Sequence, residues 1–458
     1  MTCFQNRRNC GHRLRLGRFA LVLLTMSLSG CNGLASGQRE VEPSASIQQE
    51  DGAHADLQPS GVAPASQSSL ITGSSLALLA ERLDAVAISR SSALQDVQAA
   101  RAALRAQRFE RYPQLRPSAS APLIGNGAPV VGLTVEQTLW DGGRHRAALS
   151  DIELKLERAR LVAWRERNKL VFDGLRAFVD IARYEDRVAE YTLLAREMTS
   201  IKTRLQARLE GGVADRGEML RMASALQQIE RRVLSDTASL RQAQADFVSA
   251  LPQAGLEPNL SDLDAADSQC RRDWPQSEAP ADAMVRVALS SAEASEDRVK
   301  AKRFPQLVLS GGSSYSRGGL SEPSVGLRLD ASDLLGLGRR GNLEAATAST
   351  RSAEASYRVQ LDDTRSELAR LDADYQALRA DISSLLALSR ENDETLSLFN
   401  EQLEAGSIGF IDGIVLHRER TDTRIALVDA RADILLNCLR ASQHRGLLAP
   451  LGVYDAQD

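Results

Sequence analysis

The chain is written twice, and this repetition constrains its fold more than anything else in it. Arg111-Tyr112-Pro113-Gln114-Leu115 recurs as Arg303-Phe304-Pro305-Gln306-Leu307, and Val131-Gly132-Leu133 as Val325-Gly326-Leu327. Gly143-Arg144 returns as Gly338-Arg339, and Leu209-Glu210-Gly211-Gly212 as Leu403-Glu404-Ala405-Gly406. Four anchors in one order, at offsets of 192 to 195 residues, mark a tandem duplication. The fold must be built from two like units.

Within each unit the hydrophobic period changes. Between Arg144 and Leu209 there is no proline and a single glycine, Gly174; between Leu343 and Glu404 there is neither. Leu194, Met198, Ile201 and Leu205, and again Leu371, Leu378, Ile382 and Leu385, follow heptad-like steps. A helix of roughly 65 residues is about 100 Å long, so these rods are expected to pack as coiled coils. Gly174 leaves open a first rod made of two shorter stacked helices.

Ahead of each rod the period is two. Val131, Leu133 and Val135 alternate with small or polar residues, as do Val325, Leu327 and Leu329. Partner strands are expected over Leu115 to Ala121 and Gln306 to Tyr315. Strands of roughly nine or ten residues with one apolar and one polar face suit a transmembrane β-barrel. Four strands cannot close a barrel, and lipid tolerates no open edge. Strands that enter a membrane would therefore require oligomerisation; a soluble hairpin capping a coiled coil is the alternative.

Glycine-bearing turns end each rod, and a further helix follows, from about Asp215 to Ser249 and from about Phe410 to Gly446. The expected organisation is a first repeat over 72–251 (strands about 115–139), a linker over 252–280, a second repeat over 281–448 (strands about 306–331) and a tail over 449–458. Each repeat reads as helix, strand hairpin, long helix, turn, helix.

The N-terminus reads as a targeting segment. A run of arginines precedes an apolar stretch, Phe19 to Leu28, too short to span a bilayer. Leu28-Ser29-Gly30-Cys31 looks like a bacterial lipobox, making 1–30 a lipoprotein signal peptide, Cys31 the lipidated residue and 31–71 a flexible anchored segment. Asn32 is not the aspartate that retains many such lipoproteins at the inner membrane. Cys270 and Cys438 remain for an oxidising compartment, and a bridge between them is left open.

Composition excludes other classes. Aromatic residues are 4% of the chain, as expected of long helices rather than of an enzyme core. A net charge of -4 implies no nucleic-acid partner. The five histidines have no ligand spacing, and there is no Cys-x-x-Cys or phosphate-binding loop. No catalysis, cofactor or metal is expected.

This order of elements resembles the TolC-like outer-membrane efflux protein family, in a lipoprotein-type form. The resemblance is carried by Pro-Gln-Leu at 113–115 and 305–307, the Val-Gly-Leu strand starts, Leu139-Trp140-Asp141-Gly142-Gly143-Arg144 at a strand-to-helix junction, and the glycine turns. It implies a mainly α fold with a small β part, a long-helix α-barrel plus an outer-membrane β-barrel shared by a homotrimer, four strands per protomer. It implies an exit duct of a tripartite efflux or type I secretion system in the outer membrane of a Gram-negative bacterium, anchored in outer-membrane lipid. The implied partners are a periplasmic adaptor and an inner-membrane pump of RND or ABC type. Adaptor contact would fall on Gly211, Gly212 and Val213 and on Gly406, Ser407 and Ile408. Asp412 and Glu218 would line the closed aperture; the plainer account makes them solvated acids in a first helical turn. Val415 stands where some relatives carry a second acid. Trp140 would mark the membrane interface, or simply pack at a corner. The rival to a channel is a lipid-anchored periplasmic coiled-coil scaffold without a pore.

Overall fold

A computed structural model describes Leu70 and residues 74–120, 129–212, 215–252, 278–316, 319–331, 338–404 and 410–449. Cys31, Cys270, Val213, Gly406, Ser407 and Ile408 lie outside them. The first repeat begins with α1 (Ser75–Arg90) and α2 (Ala93–Phe109), followed by β1 (Gln114–Ser120), β2 (Val130–Trp140), α3 (Arg144–Glu210) and α4 (Arg216–Ala250). The second contains α5 (Pro280–Ala301), β3 (Gln306–Ser316), β4 (Gly319–Leu320), β5 (Ser324–Asp330), α6 (Arg339–Glu404) and α7 (Phe410–His444). The copies differ in front of their strands. One helix was expected in each, but Ser91-Ser92 splits the first into α1 and α2: Ser91 is extended, and the Ser92 carbonyl accepts from the amides of Gln95 and Asp96.

α3 runs unbroken for 67 residues, so the two-helix alternative does not form. Gly174 is a notch instead of a joint: a Cβ there would lie 2.5 Å from Leu83 Cδ2 of α1. Around that contact sits the main core. Leu76, Leu79 and Leu83 meet Val171, Leu175 and Val179 of α3, Phe247 of α4, and Leu435 and Leu439 of α7. A second cluster lies toward the far end of α3, where the predicted seam of Leu194, Met198, Ile201 and Leu205 packs with Met222, Ile229, Phe399, Ile414 and Ile425.

The matching seam of α6 fares differently. Leu371 is buried, while Leu378, Ile382 and Leu385 are only half-buried. α3 packs against α1, α2, α4, α5 and α7, whereas α6 packs chiefly on α5 and α7. Among the described residues, one side of the second rod is therefore bare.

Polar groups lock the core ends. Arg167, fully buried on α3, donates from Nε and Nη2 to Asp84 of α1 at 2.9, 2.7 and 2.6 Å. Next to it, Asn168 Oδ1 accepts from the amides of Leu448 and Ala449, and one turn back Trp164 Nε1 donates to the Ala449 carbonyl. The chain reaches that dock through Gly446, whose φ of 70° is left-handed. Cys438 is buried on α7 and disulfide-bonded.

Candidate functional site

β1, β2, β3 and β5 form an antiparallel sheet in that order, and β4 continues the β5 side along the end of β3. Directly opposed residues project to the same face, so the register sorts the side chains. One face takes Leu115, Pro117 and Ala119 of β1, Val131, Leu133 and Val135 of β2, Leu307 and Leu309 of β3, and Val325, Leu327 and Leu329 of β5. Most of these residues are exposed, Leu133 by 46% and Val325 by 79%, while Leu307 and Leu309 on the inner strand are half-buried. The opposite face carries Ser118, Gly132, Thr134, Ser310, Gly312, Ser314 and Gly326. Glu136 stands on that face between two cations, Arg116 at 3.3 Å and Arg328 at 3.5 Å. Arg328 reaches it across β3, where the intervening side chains are small. The two outer strands, β1 and β5, each pair on one side only among the described residues.

Trp140 ends β2 on the apolar face, although strict alternation from Glu136 would place it on the polar one. A bulge between Thr138 and Trp140 inserts Leu139 and sets Trp140 opposite Leu307. Its ring meets Phe304 edge-on at 6.1 Å, and it stays 48% exposed.

The rest of the junction motif makes the turn into α3. Asp141 accepts from the amides of Gly143 and His145 through its two carboxylate oxygens, capping the helix start. Gly142 takes a φ of 65° and passes so near Phe304 that a Cβ would lie 2.4 Å from its side chain. Arg144 Nη2 then donates to the carbonyls of Lys302 and Phe304, tying the two repeats together at the sheet's base. The Asp141 cap, the Leu139 bulge and the Arg144 tie were not anticipated from sequence; the Asp-Gly-Gly spacing was the one visible signal.

At the other end of the rods, Gly211 and Gly212 close α3, with Gly212 at a φ of 74°. Glu218 lies half-buried in the first turn of α4, and Asp412 exposed in the first turn of α7. Among the described residues no hydrogen bond or ion pair joins these two acids. Met222 and Ile414, each within a turn of its acid, belong to one core cluster, so one packing unit positions both.

A charge ladder that sequence reasoning missed fixes the register of α7 against α3. Arg183 and Arg187 of α3 pair with Asp429 and Asp433 of α7, and Arg187 also with Asp236 of α4. Farther along, the signs invert: Glu190 and Glu197 of α3 pair with Arg424 and Arg420 of α7. A slip of one or two turns would set like charges opposite each other. The signal was the four-residue spacing of like charges at 183/187, 420/424 and 429/433. Burial pushes the Asp429 carboxyl above its ordinary value, against the pull of Arg187 and Arg183.

His417 closes the ladder, with Nδ1 2.8 Å from Glu197 Oε2. Burial holds its pKa below the ordinary histidine value, against the opposing pull of the Glu197 carboxylate, which accepts from the ring. A histidine kept neutral in the fold stabilises it above the unfolded value of about 6.5, and that contribution is lost as pH falls through the lower folded value. The unmodified protein is thus expected to lose thermal stability below about pH 6.5 more steeply than His417→Gln. Parallel melting curves across pH would remove His417 from this role.

A scan against protein-family models finds no match, and a search of curated proteins finds no relative. Solved structures do match. CusC, described for conformational changes accompanying transmembrane channel formation, superposes with a TM-score of 0.70 at 18% identity, over 83% of this chain and 93% of that one. The outer-membrane protein VceC of Vibrio cholerae gives 0.68 at 18%, over 82% and 96%. The MtrE outer-membrane channel of Neisseria gonorrhoeae in its open state gives 0.65 at 17%, over 82% and 89%. Likeness at such identities rests on architecture: duplicated units of strand pair, long rod and returning helix. The chain therefore has the TolC-like long-helix fold of outer-membrane efflux channels.

Proposed function

We propose that this protein is the outer-membrane exit duct of a tripartite efflux or secretion system. The observation that carries this reading is the sheet, with one apolar face left exposed, one polar face and two open edges. Closure with two further copies would satisfy both edges in a twelve-stranded barrel, with the apolar face toward lipid and the Ser/Gly/Thr face toward a lumen. The bare side of α6 would then find its cover in a neighbouring copy, and the rods would line a tube. A soluble scaffold would have no use for a sheet with these faces. In this reading Cys31 carries the lipid anchor and Trp140 marks the membrane boundary. The turns at 211–213 and 406–408 meet a periplasmic adaptor that couples the duct to an inner-membrane pump of RND or ABC type. In this reading the pump, not the wall of the duct, selects the cargo.

Asp412 and Glu218 stand at the tip in this arrangement. Three-fold symmetry would gather three copies of each acid into a ring, where mutual repulsion and cation binding govern the aperture. In planar bilayers the purified lipidated protein is expected to behave as a trimer by mass and to show discrete conductance steps. Asp412→Ala is expected to raise the single-channel conductance at least about twofold. A monomer without conductance would overturn the duct reading; unchanged steps in the variant would remove Asp412 from the aperture.

A further inference from the structure

The end of the sheet that meets the helices carries a collar of cations that the duct itself does not require. β1 and β3 begin there, and β2 and β5 end there. Just ahead of β1, Arg105, Arg108 and Arg111 are exposed, and ahead of β3 so are Lys302 and Arg303. Beyond β5, Arg339 and Arg340 open α6, also exposed. Acids answer them only in part: Glu344 pairs with Arg340 at 2.9 Å and Glu153 reaches Arg108 at 3.9 Å, while Glu110 accepts from Gln107 and Asp330 ends β5, which leaves the cations in excess. Exposed aromatic rings stand among these cations, with Phe109 and Tyr112 6.0 Å apart beside β1 and the Trp140–Phe304 pair beside β2 and β3. The opposite end differs: residues 120–130 contain no charge, and residues 317–323 carry one of each sign, Arg317 and Glu322.

We propose that this collar binds the phosphate groups of anionic phospholipids in the leaflet facing the helices. The inference rests on the membrane reading of the sheet. If the apolar face lies among acyl chains, the exposed rings fall at the boundary between acyl chains and headgroups, where aromatic side chains settle. The cations then stand at headgroup level on the helix side, within the short range over which an anionic membrane surface attracts them. Guanidinium forks match phosphate oxygens in pairs, and six of the seven cations flanking β1 and β3 or opening α6 are bidentate-capable arginines from both copies of the repeat. The concentration of cations at one end of the sheet also fixes which way up it sits.

Tryptophan quenching by brominated lipids tests this in bilayers containing the full lipidated protein, with Trp140→Phe identifying the collar's share of the signal. Brominated phosphatidylglycerol is expected to quench Trp140 at a roughly three- to tenfold lower mole fraction than brominated phosphatidylcholine in about 50 mM salt. The preference should vanish in about 500 mM salt and in Arg108→Gln/Arg111→Gln/Arg303→Gln. Equal quenching by the two lipids would overturn the proposal, as would a preference that millimolar inorganic phosphate abolishes, which would mark a simple anion site. Should the triple variant fail to fold, the two lipids and two salt levels on the unmodified protein decide alone. Protein that conducts without lipid preference sinks only this inference; protein that neither inserts nor conducts sinks the duct as well.

Discussion

Leu133→Arg is expected to abolish membrane insertion and the trimer together, while Ser118→Arg, on the neighbouring strand but the opposite face, leaves both intact. Leu133 lies mid-strand on the apolar face, opposite Pro117 of β1 and Ser313 of β3, and is exposed in a single chain. An arginine facing lipid at the bilayer midplane costs roughly 2–4 kcal/mol, and a trimer would carry three. Ser118 faces the other way, beside Gly132, where a long polar side chain has water to enter. Membrane fractionation and native mass determination of the two variants provide the check. If Leu133→Arg inserts and assembles like the unmodified protein, the apolar face does not contact lipid.

The second large effect lies far from the sheet. Arg167→Ala should destabilise the fold by roughly 3–5 kcal/mol, because it strands the Asp84 carboxylate in the core without its partner. Arg167 is fully buried and Asp84 nearly so, and the two are joined by three short hydrogen bonds. Replacing both, as Arg167→Met with Asp84→Leu, should recover most of the loss, since no charge is then left unpaired. Urea unfolding of the two variants, followed by helical circular dichroism, measures the difference. Equal destabilisation by the single and double changes would show that packing, not charge, governs this site.

The sequence made some levels of the structure legible and concealed others. The duplication, the rods and the strand faces could be read because they rest on periodicity, which local residue order carries. The two seams shared a pattern, yet that of α3 is buried throughout and that of α6 only at Leu371. Burial depends on neighbours, and among the described residues α6 has fewer of them than α3. Gly174 illustrates the same limit, since a glycine in a helix reads as a weak point until Leu83 is seen to press against it. Trp140 was assigned to the interface by its residue type; the alternation alone would have turned it to the polar face, because the one-residue bulge before it leaves no mark in the pattern. Arg167 and Asp84 are ordinary charges on paper, and only their burial makes them consequential.

The two rods have nearly equal lengths, 67 and 66 residues, but they are not equally held. α3 is surrounded by its own chain, so its backbone hydrogen bonds open only when much of the fold opens with them. α6 has one bare flank, and its amides can come free by local bending. Hydrogen exchange in the isolated protomer should therefore separate the two copies of the duplication, fast along the bare stretch of α6 and slow along α3. Whatever slows the second rod to the pace of the first is the partner that completes it.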